Sequence, residues 1–229
     1  RLVSNWYGGA DLSKLHDLTA ACIVGEIPAA RAACPGWTPP EDVLVIIPHC
    51  WFPVTAASEK AEKDQIPLFG WMDDGWLDMP NSPSMDPTEP VKMFRKWRDA
   101  GFNIRKVGHD RKFAREYVTA MKRNKFTVVD QPQLAFAKSE GLRYIEHKAM
   151  IGCLYVCHAE PWFYCAGNVR GMESARHDDI VIYEKIQENS RIDVFDASVF
   201  ATIRMLVDTE KVAAAASWFA QPDDKEDSE

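Results

Sequence analysis

Apolar positions in the first 52 residues fall into three runs of strand length. Residues 3–10 end at Asp11, residues 18–24 read Leu-Thr-Ala-Ala-Cys-Ile-Val, and residues 43–52 read Val-Leu-Val-Ile-Ile-Pro-His-Cys-Trp-Phe. Short apolar runs bounded by polar turns read as strands. The polar stretch 12–17 makes the first two a hairpin, with Asp11 at the tip end of the first strand and Asp17 closing the turn. Pro48 puts the third strand at a sheet edge or a bulge, because proline cannot donate to a ladder. Residues 27–41, rich in Ala and Pro, read as a loop.

The period then lengthens. Residues 55–65 read as a short charged helix, and the Asp- and Pro-rich residues 71–90 as a long irregular stretch of the kind that often carries function. A helix over 89–100 is ended by Gly101. A strand over 103–108 leads to Asp110, followed by a helix over 111–123, a strand over 126–130 and a helix over 139–151. Residues 153–190 mix aromatic and apolar pieces with a charged tract at 176–179. A clear helix runs over 193–209, and the acidic residues 221–229 read as disordered. A meander followed by βαβ units predicts an α/β fold, a mixed sheet with helices on its faces. That is the outline of a ribonuclease H-like domain, expected over residues 1–210 with a tail over 211–229. In this outline the first strand lies beside a later parallel one, so Asp11 and Asp110 share one sheet edge. The final helix crosses nearby and delivers Asp193.

The bulk composition adds limits. The chain has 229 residues, 46% of them apolar and 27% charged, with a net charge of −7. This is ordinary for a globular domain. The balance argues against a strongly basic, non-specific nucleic-acid binder and leads to an expectation of weak, salt-sensitive DNA binding. No apolar run reaches the ~20 residues of a membrane span, and no phosphate-binding G-x-x-x-x-G-K-[ST] loop is present. The first residues read as a linker into a strand, so the sequence is expected to be a piece of a longer polypeptide. Six cysteines, several inside apolar runs, read as reduced and buried. The group Cys153, Cys157, His158 and Cys165 lacks the spacing of a zinc finger or ribbon.

Candidate chemistry lies in carboxylates at element ends. Hard divalent cations need clusters of oxygen ligands, and two such ions about 3.5–4 Å apart serve to cut phosphodiester bonds. Asp11, Asp110 and Asp193 are the candidate catalytic and metal-holding residues. Each has a structural alternative, since Asp readily caps helices. Asp193, Ala197 and Ala201 share one helical stripe, whose small residues let the helix approach the sheet. Asp196, three residues after Asp193, is expected to face solvent or cap the first turn, with a fourth-ligand role as its alternative. His109 reads as a packed residue. Arg111, Lys112 and Lys185 are the candidate phosphate contacts.

In order and spacing these segments resemble the C-terminal nuclease domain of the large terminase subunit of tailed bacteriophages. The resemblance runs from about Gly9 to Met205. It is carried by Ala10-Asp11-Leu12-Ser13 with Asp17-Leu18-Thr19-Ala20, by Trp51-Phe52-Pro53, and by Ile66-Pro67-Leu68-Phe69-Gly70-Trp71 with Gly75-Trp76-Leu77. It continues through Val107-Gly108-His109-Asp110, His158-Ala159-Glu160-Pro161 with Gly167-Asn168-Val169, and Lys185 with Arg191-Ile192-Asp193 and Ala197. It implies an endonuclease that cuts concatemeric viral DNA with two Mg2+ or Mn2+ ions held by Asp11, Asp110 and Asp193. The implied partners are double-stranded DNA, an upstream ATPase domain of the same polypeptide, the small terminase subunit and the portal, in the cytoplasm of the infected bacterial host, with no membrane. Val194 stands where the family usually has Gly, and Asp196 where it usually has an apolar residue. A junction resolvase or transposase-type nuclease of the same fold, and a metal-free docking module, are the competing expectations.

Overall fold

The computed structural model describes residues 2–13, 18–110, 114–131, 135–157, 159–174 and 177–219. The three early runs form strands β1 (Trp6–Asp11), β2 (Thr19–Ile27) and β3 (Val43–Trp51). They are joined by antiparallel pairing, Gly9 opposite Cys22 and Cys22 opposite Pro48. A four-residue helix, α1 (Ala29–Ala32), lies in the expected loop. Helix α2 (Val54–Asp64) ends at Gln65, which takes the left-handed conformation at φ 53. Residues 71–90 are more ordered than their composition suggests. Helix α3 (Leu68–Asp73) enters the stretch, and β4 (Leu77–Asp78) pairs in parallel with the end of β3.

Helix α4 (Glu89–Asp99) carries Pro in its first turn and is followed by Gly101 at φ 96. It leads to β5 (Ile104–His109), which lies parallel to β1 with Ala10 opposite His109. Helix α5 (Ala114–Arg123) connects β5 to β6 (Val128–Asp130), again parallel. Helix α6 (Ala135–Met150) precedes β7 (Leu154–Val156), which joins the sheet along β3. The sheet order is β4-β3-β2-β1-β5-β6, with β7 also on β3. Helix α7 (Ala159–Gly167) leads into a separate hairpin of β8 (Val169–Ser174) and β9 (His177–Lys185). The chain closes its described part with α8 (Asp193–Phe219), which runs past residue 210.

The position of β3 corrects the edge-or-bulge expectation for Pro48. The β2–β3 register is unbroken, and β3 has neighbours on both sides. On the second side β7 covers Leu44 to Ile46 and β4 covers Cys50 and Trp51. Pro48 sits in the gap between those two short partners, where a missing donor breaks no ladder.

The sheet separates two cores. Tyr7, Cys22, Leu44 and Ile46 pack under α8. Trp6, Ile23, Val107 and Phe94 pack on the opposite face with Tyr117 and Met121. The alternation of β1 assigns Gly9 and Asp11 to the α8 face and Gly8 and Ala10 to the other.

Candidate functional site

The stripe of small residues on α8 does what its spacing predicts. A Cβ on Gly9 would fall 1.9 Å from the Ala197 carbonyl oxygen and 2.7 Å from the Ala201 nitrogen. A Cβ on Gly108 would lie 3.3 Å from the Phe200 oxygen. The backbone of α8 therefore rests directly on β1 and β5. Two of its buried hydroxyls find partners inside this packing. Trp162 of α7 donates from Nε1 to Ser198 Oγ at 3.0 Å, and Thr202 Oγ1 donates to the Ser198 carbonyl at 2.8 Å.

This seating carries the first turn of α8 to the carboxyl end of β1. Asp11 is the last residue of β1 and remains partly exposed. Continuing the β1–β5 register by one step beyond Ala10 and His109 sets Asp110 beside it. Asp193 and Asp196 lie in the first turn of α8, both buried, where the helix N-terminus favours negative charge. The ionisation of Asp11 registers all of them. Its pKa is raised well above the usual carboxylate range, first by burial, then by the negative charges of Asp193 and Asp196, with a smaller push from Asp110. Lys138 opposes the shift. Like charges crowded together disfavour ionisation.

Asp196 departs from expectation. It neither faces solvent nor serves as a free first-turn residue. Tyr183 of β9 donates its hydroxyl to Asp196 Oδ1, and Lys138 of α6 donates to Oδ2 at 3.1 Å. The Lys138 ammonium also sits 5.1 Å from the ring centroids of Tyr183 and Phe200. The β8–β9 hairpin and α6 thus roof the first turn of α8, which is why that turn is buried. Burial and the Asp196 and Asp11 charges push the Tyr183 phenol well up.

The same turn is held from behind. Arg191 is buried, and its Nη2 lies 2.7 Å from Asp64 Oδ2 at the end of α2. Asn168, just after α7, donates to the Arg191 carbonyl at 3.1 Å. Both the side chain and the backbone of the residue two before Asp193 are therefore anchored.

His109 is packed, as its strand position predicts. Its Nδ1 lies 2.8 Å from the Asp110 carbonyl, its Nε2 3.3 Å from Asp130, and its ring meets Tyr117 edge-on at 5.7 Å. Lys185 ends β9 opposite Val169 and is half-buried. The cation felt by Asp11 is Lys138. Arg111, Lys112, Asp17 and His158 lie outside the described residues. Lys138 carries no sequence signal of its own: the pattern predicts a helix only from 139, whereas α6 starts at Ala135. Tyr183 lies in the mixed aromatic and apolar stretch 153–190, where the strand composition of Ile180-Val181-Ile182-Tyr183 is the signal that could have found it.

Among the described residues no three His, Cys, Asp or Glu side chains form a ready metal-holding group. The donor chemistry nonetheless fits hard divalent ions. Carboxylate oxygens gather around Asp11, and Lys138 is the cation that offsets them there. Such a set repels itself until a cation is supplied.

No family model and no curated protein matches the chain. Among solved structures, the HK97 bacteriophage large terminase matches with a TM-score of 0.69 and 21% identity, over 87% of this chain and 39% of the HK97 chain. The large terminase nuclease from thermophilic phage G20c matches with a TM-score of 0.49 and 10% identity, over 86% of this chain and 80% of its own. The same nuclease with bound magnesium gives 0.49 and 10%, over 86% and 79%. The HK97 likeness establishes the fold: a mixed α/β sheet flanked by helices, ribonuclease H-like, as in the large terminase. The chain spans about two fifths of the HK97 protein it matches.

Proposed function

We propose that the chain is a metal-dependent DNA endonuclease domain of the large-terminase type, cutting concatemeric viral DNA during genome packaging. The arrangement that supports this best is the convergence of Asp11 at the end of β1, Asp110 one step beyond the paired end of β5, and Asp193 and Asp196 in the first turn of α8 seated on Gly9. Asp11, Asp110 and Asp193 would hold two Mg2+ or Mn2+ ions. Bound divalent ions supply Lewis-acid stabilisation to an attacking water and to the leaving 3′-oxygen of a phosphodiester.

The chain's own residues do the rest by holding position. The first turn of α8 keeps Asp193 aimed at the β1 end because Arg191 and the glycine contacts fix the helix. Lys138 and Tyr183 hold Asp196 and neutralise part of its charge. No side chain need act as general base. His109 is buried and engaged with Asp110 and Asp130, and the Tyr183 phenol stays protonated. Within the whole protein, the reading assigns DNA, an upstream ATPase domain, a small terminase subunit and a portal as partners, in the cytoplasm of the infected host.

Supercoiled plasmid tests the reading. Nicking and linearisation are expected with Mg2+ or Mn2+, and are lost in EDTA and in Asp11→Asn that retains its circular dichroism spectrum. Cleavage that survives EDTA, or full activity in Asp11→Asn, contradicts it.

A further inference from the structure

The net charge of −7 conceals a strong local opposite. Residues 89–125, which cover α4, β5 and α5, hold twelve Lys and Arg against four Asp and Glu, a local net charge of +8. The two helices lie on the sheet face opposite α8. Their apolar sides, Val91, Phe94 and Trp97 on α4 and Ala114, Tyr117 and Met121 on α5, are buried in one core. Their cations are therefore directed outward. Arg95, Lys96, Arg115, Lys122, Arg123 and Lys125 are all exposed.

These six have no ion-pair partner among the described residues, while their neighbours are engaged. Lys92 pairs with Glu89 at 2.5 Å. Arg98 lies 3.9 Å from Asp99 and donates to the Asn124 carbonyl at 2.6 Å, tying the end of α4 to the end of α5. Along α5, where Thr88 at the start of α4 approaches it, lies a groove of about 440 Å³ lined by Thr88, Arg115, Glu116, Thr119, Ala120 and Arg123. Arg115, Thr119 and Arg123 follow each other at four-residue spacing, so they form one stripe along α5.

We propose that the outer face of α4 and α5 is a phosphate-binding surface that holds double-stranded DNA alongside the carboxylate site. The assignment of DNA as the occupant rests on the nuclease reading. Charge complementarity selects a polyanion. Ten helical residues span about 15 Å, a length over which duplex DNA carries roughly nine phosphate charges at one per ~1.7 Å. Guanidinium groups match phosphate oxygens in pairs. Contacts of this kind set position and carry no base information. The track also points to the site. Asp110 ends the β5 segment, and α5 begins four residues later at the same end of the sheet. From there α5 runs back to Arg123, beside the end of α4, so a duplex laid along the two helices leads from the far end of the sheet toward the edge where Asp11 and Asp110 lie.

The test measures fluorescence anisotropy of a mixed-sequence duplex on the whole chain, in EDTA, across a potassium chloride series. The variants are Lys96→Gln/Arg123→Gln on the proposed face and Lys63→Gln/Arg143→Gln elsewhere on the surface. Each phosphate contact contributes about 0.9 to the logarithmic salt slope. The first double variant is expected to lower the slope by about 1.8 and the second to leave it unchanged. Equal slopes in wild type and the first variant, or equal losses in both variants, overturn the proposal. So does binding of polyglutamate as tight as that of DNA, which would assign the face to an acidic protein. Wild-type plasmid cleavage is read separately. A slope change without metal-dependent cleavage keeps this surface and removes the nuclease reading.

Discussion

The two faces of the sheet are built by opposite means. On one, α8 is buried almost all round from Asp193 to Ile203 and its backbone rests on Gly9 and Gly108. On the other, α4 and α5 bury an aromatic stripe and turn their charges outward. A helix buried on every side has one seat, and its first turn is fixed with it. An amphipathic helix commits one side and leaves the other open to change. The carboxylates ride on the fixed face and the cations on the open one. A metal site requires placement to a fraction of an ångström, whereas phosphate contacts tolerate looser placement.

The comparison breaks first if the α8 anchor proves dispensable. Removing one partner of a buried ion pair costs about 3–5 kcal/mol. Arg191→Met, which leaves Asp64 only the Lys60 ammonium at 3.7 Å, is expected to cost about 3 kcal/mol, the lower end of that range, in urea unfolding, and Asp64→Asn/Arg191→Met to recover most of it. A single-variant loss below about 1 kcal/mol, the range of surface pairs, would show that α8 is held without it.

Matched glycine substitutions sharpen the contrast between the faces. Gly9→Ala drives a methyl into the Ala197 backbone, which cannot yield without moving α8. It should cost about 3 kcal/mol, the upper end of overpacking, and reduce cleavage with it. Gly8→Ala meets side-chain atoms of Phe94 and Val107 at 2.7 and 2.8 Å, which can shift. It should cost about 1 kcal/mol, the lower end of the same range. Equal losses in denaturant midpoint would erase the distinction.

A smaller effect concerns pH. The folded pKa of Asp11 is raised above its unfolded value, so the folded state holds the proton more tightly. The stability it contributes is full below the unfolded pKa and is lost as pH rises from that value through the folded pKa. The metal-free protein should melt at a lower temperature at neutral than at mildly acidic pH. Excess Mg2+ should reverse this at neutral pH, adding about 2.7 kcal/mol at a hundredfold excess over Kd. Melting curves indifferent to Mg2+ would remove the cation from the account.

The smallest effect belongs to the open face. Lys122→Ala on α5 should change stability by no more than about 0.5 kcal/mol, as exposed positions do. A larger loss would mean that the charges on this face also support the fold.

What was legible in the sequence follows the same division. The strands bearing Gly9 and Gly108, the helix closed by Gly101 and the Asp193–Ala197–Ala201 stripe were readable because each signal is local and periodic. Pro48 misled because its gap is made by β4 and β7, distant short strands that no local pattern announces. Asp196 misled for the same reason. Its surroundings depend on Lys138 and Tyr183, 58 and 13 residues away, brought over it by α6 and the β8–β9 hairpin. The Arg191–Asp64 pair spans 127 residues. The basic face escaped notice because total charge averages over both sides of the sheet.

The central claim is that Asp11, Asp110 and Asp193 together hold the metal. Crystals soaked in Mn2+ and recorded at the manganese absorption edge test it directly. The account predicts two anomalous peaks about 3.5–4 Å apart, both touching Asp11, one touching Asp110 and the other Asp193. A saturated soak without a peak at the end of β1, or with peaks that avoid Asp11, would contradict it.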